Sequence, residues 1–135
     1  MSTGATRART VRPVPDATTL LAVACLASVA GSHLADLPHK LEEAPYLAVL
    51  FCALIGASLL LAACLIAGRF VPLAWRAAVV LCALAIAGYV LSRSVGLPQI
   101  EDHVGDWLDP WGVVAVTSEA VLIGLGLAAW RAAPA

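Results

Sequence analysis

Three histidines and a set of carboxylates are the residues of this 135-residue chain whose types and spacing could do chemistry. His33 and Asp36 stand three apart, as do His103 and Asp106. His39 lies four residues before Glu43 and three before Glu42. Residues three or four apart share a face of a helical turn. Imidazole with carboxylate suits zinc, copper, nickel or non-haem iron, whereas magnesium and calcium favour all-oxygen shells. His33, Asp36, His39, Glu42, Glu43, His103 and Asp106 are therefore the candidates for a metal or ligand site. His33 is the best of them, because it falls nearest an apolar stretch. Their spacing matches no specific ligand motif, and plain solvation is the alternative reading. Haem is not expected, since two axial histidines on facing helices would be needed and only His33 falls within a stretch.

A second signal is Glu119, an acid inside an otherwise apolar run. It lies about eight residues, or about 12 Å, into that run at 1.5 Å per residue. An ionised acid in hydrocarbon costs about 2.5 kcal/mol or more, so it should face other helices and mark a site or a partner. Thr117 and Ser118 could supply hydrogen bonds, and Arg93 or His33 could reach it from other helices. The alternative is a protonated glutamic acid that only ties helices together. No Gly-rich phosphate loop, nucleophile elbow or His-Glu-x-x-His pattern is present, so an enzyme is not expected.

The elements that must hold these residues are apolar helices. The chain is 61% apolar and 13% charged, with mean hydropathy +0.92. Soluble domains run near 45–50% and about 25%. A formal net charge of −1 gives no field to recruit nucleic acid. Four stretches approach the ~20 residues that cross a bilayer. Spans are expected over about 18–37, 46–67, 72–92 and 111–130, preceded by a basic tail over 1–17. Only helices and closed barrels satisfy their backbone in lipid, and these Ala/Leu-rich runs are helical. Asp16 and Asp109 are expected to cap the first and fourth helices, with Pro110 in the first turn. Pro45 and Pro72 open the second and third, and no helix interior holds a proline on this assignment. The expected fold is all-α: an antiparallel four-helix transmembrane bundle.

Arginine and lysine mark the cytoplasmic side of short loops. Arg7, Arg9, Arg12, Arg69, Arg76 and Arg131 fall on one side, and only Lys40 and Arg93 on the other. A multi-pass protein of the plasma membrane with both termini cytoplasmic follows. Asp36, Glu42, Glu43, Glu101, Asp102, Asp106, Asp109 and all three histidines then lie at the outer face. Ser28-Val29-Ala30 imitates a signal-peptidase site, but the apolar run exceeds the usual 7–15 residues of a signal, so a retained helix is expected. Tyr46, Tyr89, Trp107 and Trp111 are expected at the outer headgroups, and Phe70, Trp75 and Trp130 at the inner ones. Ile100, Val104, Trp107 and Leu108 recur at helical spacing opposite Glu101, Asp102 and Asp106, which predicts a short amphipathic outer segment between helices 3 and 4. Cys25, Cys52, Cys64 and Cys82 all fall in spans without a Cys-x-x-Cys pair, so they read as small hydrophobes. Small residues four apart (Ala53/Ala57, Ala63/Ala67, Ala83/Ala87, Gly124/Ala128) suggest close helix approach.

The string Tyr89-Val90-Leu91-Ser92-Arg93-Ser94-Val95-Gly96-Leu97-Pro98-Gln99-Ile100, with His39-Lys40-Leu41-Glu42-Glu43-Ala44-Pro45-Tyr46 and Glu119, resembles a family of small four-span membrane proteins of actinobacteria. The resemblance covers most of the chain, and Thr often stands there in place of Ser94. That family is uncharacterised. The resemblance implies the four-span fold, points to His33, His39, Glu42, Arg93 and Glu119, and supplies no activity. Three functions stay open: a protein binding a metal ion or small ligand at an outward His/Glu site, an accessory subunit of a larger membrane complex, and a small transporter that works as an oligomer. The lipid bilayer is the one certain partner; another membrane protein or a second copy is the further one.

Overall fold

The computed structural model describes residues 14–132, and the arginines at positions 7, 9 and 12 lie outside that range. Four helices account for nearly all of it: α1 Ala17–Glu43, α2 Pro45–Ile66, α3 Val71–Ser94 and α4 Pro110–Ala132. Each is long and apolar enough to cross a bilayer, so the chain is a multi-pass membrane protein. They form an up-down-up-down ring in which α1 packs on α2 and α4, and α3 on α4, with α2 and α3 meeting least closely. One end of the bundle carries the α1–α2 and α3–α4 connections and most of the acids; it is called the acidic end below. The other carries Arg69, Arg76 and Arg131 and is called the arginine end.

Local chemistry sets the helix boundaries. The Asp16 carboxylate accepts from Thr19 N at 2.8 Å, and Asp109 from Gly112 N at 2.7 Å, each satisfying an orphan donor of a first turn. Hydrogen bonding from the Thr19 side chain, with its N–H acting the same way, holds the Asp16 carboxyl below its ordinary range. Pro45 and Pro72 sit in the first turns of α2 and α3. Gly68 and Gly96 follow the C-terminal turns of α2 and α3 with φ of 65° and 80°. A left-handed residue there lets the chain fold back onto the last carbonyls; Gly96 N donates to Leu91 O at 3.2 Å.

Three expectations are corrected here. First, α1 does not stop near residue 37; it runs through Pro38 to Glu43. Proline removes one helical hydrogen bond, but His39–Glu43, Lys40–Asp36 and Lys40–Glu43 contacts bridge the turns on either side. Only Ala44 then separates α1 from α2. Second, the short amphipathic segment after Gln99 is present, but not as a regular helix. The segment between α3 and α4 holds a single 3-10 turn, Glu101–His103. Gln99 has φ 71° and Gly105 φ 86°, which interrupts the period on both sides. The segment is still two-faced: Ile100 is buried, whereas Glu101 and Asp102 are exposed. Third, Trp75 is not an interfacial anchor but a core residue packed with Leu26, Leu65 and Leu122.

That core lies toward the arginine end. Ala22, Ala62, Ala74 and Ala78 are buried within it, and their small side chains let the backbones approach. The predicted small-residue stripes point elsewhere. Ala63, Ala67, Ala83, Ala87, Gly124 and Ala128 are all exposed; in an Ala-rich chain, spacing alone does not select the contacting face. At the acidic end the helices instead line a half-open cavity of about 560 Å³. The bundle is thus solid in one half and hollow in the other.

Candidate functional site

Four helices contribute to the cavity wall: Ser32, His33, Asp36 and Lys40 from α1, Phe51 and Leu54 from α2, Tyr89 and Arg93 from α3, and Ala115 and Glu119 from α4. Leu97, Ile100 and His103 of the α3–α4 segment lie over its end. That lid is tied down at several points. Tyr46 Oη donates to Pro98 O at 2.8 Å, Tyr89 Oη to Trp107 O at 2.9 Å, and Gly105 N to Arg93 O at 2.8 Å. Ile100 packs on Ala44 and Leu47. The two tyrosines therefore do more than mark an interface.

Beneath the lid a polar network joins three elements. The α1 helix, at 27 residues, is about 40 Å long and outruns a ~30 Å hydrocarbon core, so its turns after Pro38 stand at the headgroups. There the His39 Nε2–Glu43 Oε1 distance is 2.9 Å and the Lys40 Nζ–Glu43 Oε2 distance 2.8 Å. Lys40 is 4% exposed. Its hydrogen bond holds the Glu43 carboxyl below the ordinary glutamate range, with the nearby positive charge of Lys40 acting the same way. His103 Nε2 lies 3.6 Å from Glu43 Oε2. On its other side, His103 Nδ1 is 2.8 Å from Arg93 Nη1. Arginine can only donate, so Nδ1 accepts, and the proton of a neutral His103 sits on Nε2, facing Glu43. Arg93, 7% exposed, also reaches Asp109 at 3.8 Å and lies over the Tyr89 ring at 5.0 Å.

His39, Glu43 and His103 each place one ligand atom within 4.8 Å of the others. The group has the donor types for a transition metal. As arranged, however, its members satisfy one another. Metal bound through His103 Nε2 would displace that proton while Arg93 still occupies Nδ1, and Lys40 already balances the Glu43 charge.

The remaining candidates separate. His33 stands apart from the cluster, its Nδ1 donating to Val29 O at 2.9 Å and its ring edge-on to Phe51 at 4.7 Å. Asp36 adjoins the network through Lys40 Nζ at 3.9 Å. Glu42 and Asp106 are exposed, and no side-chain bond ties either of them among the described residues. Glu119 is 1% exposed and lines the cavity. Its expected partners are engaged elsewhere. Thr117 donates to Val113 O at 2.7 Å, and the Ser118 hydroxyl lies 2.9 Å from Val114 O and 2.8 Å from Ser28 Oγ. Arg93 bonds His103 rather than Glu119. Glu119 Oε1 has no hydrogen-bond partner among the described residues.

Lys40, Asp109 and Tyr89 enter the site unanticipated. Lys40 was legible only as a topology marker, although its spacing from Asp36 and Glu43 carried the helical-pair signal. Asp109 both caps α4 and pairs with Arg93. No protein-family model, curated protein or solved structure matches this chain.

Proposed function

We propose that this small membrane protein binds one lipophilic small ligand in the cavity of its acidic half. The observation that carries this reading is Glu119: buried, unpartnered at Oε1 among the described residues, and lining a void of about 560 Å³. Ligand pockets run about 300–1,000 Å³, mostly apolar with a few convergent polar groups. Such an acid within hydrocarbon calls for a bonding partner. The arginine bias supports placing the acidic end, and so the lid, on the outer side of the plasma membrane with both termini cytoplasmic. Labelling a Glu42→Cys variant, in a background without the native cysteines, from outside intact cells tests that orientation.

Native mass spectrometry of detergent-solubilised protein with n-decanol tests the cavity. One bound equivalent is expected, lost in Gly88→Leu, whose side chain would project into open space along the cavity wall. Binding that survives Gly88→Leu unchanged, or no binding at all, overturns the reading.

A transition-metal ion at His39, Glu43 and His103 is a second reading, favoured by the 4.8 Å spread of their ligand atoms. It requires Arg93 to leave His103. Elemental analysis after zinc or copper loading decides it: one equivalent, absent in His39→Ala, supports it, and no uptake removes it.

A further inference from the structure

We infer that the ligand of this cavity is a lipophilic monocation, an amine on an apolar body, which reaches Glu119 sideways from the bilayer through the seam between α2 and α3. This rests on the cavity reading above and names its ligand class. The charge comes from the lining. Asp36, Asp109 and Glu119 are its acids, Lys40 and Arg93 its fixed bases. Lys40, which also holds Glu43 at 2.8 Å, lies 3.9 Å from Asp36, and Arg93 lies 3.8 Å from Asp109. Among the described residues Glu119 is left without a counter-ion, and its Oε1 without any hydrogen bond.

The free hydrogen-bonding capacity is mostly accepting. Ser32 and Ser92 already donate to Val29 O and Tyr89 O. His33 spends its Nδ1 proton on Val29 O, which leaves Nε2 an acceptor in the neutral ring. Among the buried side-chain donors of the described lining, Arg93 Nε alone lacks a partner, and it belongs to a guanidinium shared by His103 and Asp109. An ammonium offers up to three donors and one positive charge, and its hydrogen bonds to a carboxylate are of the strong, charge-assisted kind. An anion would meet the surplus acid instead.

The route follows from exposure. Leu50 on α2 and Leu84 on α3 line the cavity, yet are 58% and 66% exposed. They lie about 8 Å and about 15 Å from the acidic ends of their helices at 1.5 Å per residue. At the depth of Leu84 the surrounding medium is hydrocarbon, while Leu50, level with Pro38 across the Ala44 join, stands at its edge. From the aqueous side, the lid residues Ile100 and Leu97 stand over the cavity, and Ile100 is 2% exposed. The open side is therefore the lipid side.

The test pairs n-decylamine with n-decanol, equal in chain length, on full-length protein in detergent by native mass spectrometry at neutral pH. Wild type should hold the amine at least about tenfold more tightly, equivalent to about 1.4 kcal/mol. Glu119→Gln should abolish that preference and keep alcohol binding. Equal affinities in wild type overturn the inference and leave the cavity reading intact. Binding of neither probe overturns both. A preference that persists in Glu119→Gln overturns the role of Glu119. Should that variant not fold, the wild-type ratio still decides the charge, and Glu119→Asp, which keeps the charge on a shorter side chain, decides the position.

Discussion

Arg93 Nη1 and His103 Nδ1 stand 2.8 Å apart, the head of a buried arginine on α3 bonded to an imidazole ten residues further along the chain. This contact folds the α3–α4 segment back over the helix that precedes it. It also fixes the His103 tautomer and turns its protonated nitrogen toward α1. The lid is therefore built around the guanidinium, whose other contacts are Asp109 and the Tyr89 ring.

Arg93→Ala should destabilise the fold by about 1–3 kcal/mol, because it strips the partly buried His103 acceptor of a charged donor. Arg93→Lys should recover little, since an ammonium cannot span His103 and Asp109 as a planar fork does. Thermal melting in detergent reads the stability. Hydrogen exchange should show faster exchange confined to residues 95–109.

Acid should loosen the same region. The Lys40 hydrogen bond depresses the Glu43 carboxyl, so the folded state binds that proton less readily than the unfolded chain. Its contribution is complete above the ordinary glutamate range near pH 4.5 and is lost as pH falls through the lower folded value. Asp16, depressed by hydrogen bonds from the Thr19 side chain and N–H, acts in the same direction at the opposite end of α1. Melting curves between pH 6 and pH 3 should fall, and Glu43→Gln should flatten part of that fall.

Two glycines of α4 should respond oppositely to alanine. A Cβ on Gly126 would overlap Val79 Cγ2 beside Trp75, whereas one on Gly124 meets nothing within 4 Å. Gly126→Ala should cost about 1–3 kcal/mol through overpacking. Gly124→Ala should gain about 0.5–1 kcal/mol, the helical cost of glycine. Equal melting temperatures for the two variants would contradict the packing described.

Ser58 on α2 is fully buried, and its hydroxyl finds no partner among the described residues. Ser58→Ala should therefore leave stability unchanged or raise it by up to about 1 kcal/mol, the reverse of the usual loss on deleting a bonded buried hydroxyl. A drop in melting temperature would show that the hydroxyl is satisfied.

What was legible in the sequence was local. Asp16, Asp109, Pro45 and Pro72 mark their helix starts because caps and first-turn prolines act within one turn. The His39–Glu43 pair could be read for the same reason. His103 joining it could not, because that depends on how residues 95–109 fold back, which is set by Gly96, Gln99 and Gly105. Lys40 reads as an exposed loop cation until α1 is seen to continue past Pro38. Glu119 announces itself as misplaced, but the void beside it is a shortfall of packing among four helices and leaves no trace in any one of them. Trp75 was misplaced because an aromatic near a span end looks alike whether it faces lipid or the core.

The single-residue join at Ala44 restricts how the molecule can breathe. With so little slack, α1 and α2 must tilt together as one hairpin, and that hairpin has no freedom to part at its tip. Any widening of the gap beside Leu84 must therefore be carried by α3, drawing on the longer tether of residues 95–109. Substitutions that stiffen the tether at Gly96, Gln99 or Gly105, none of which lines the cavity, should slow exchange of the proposed ligand.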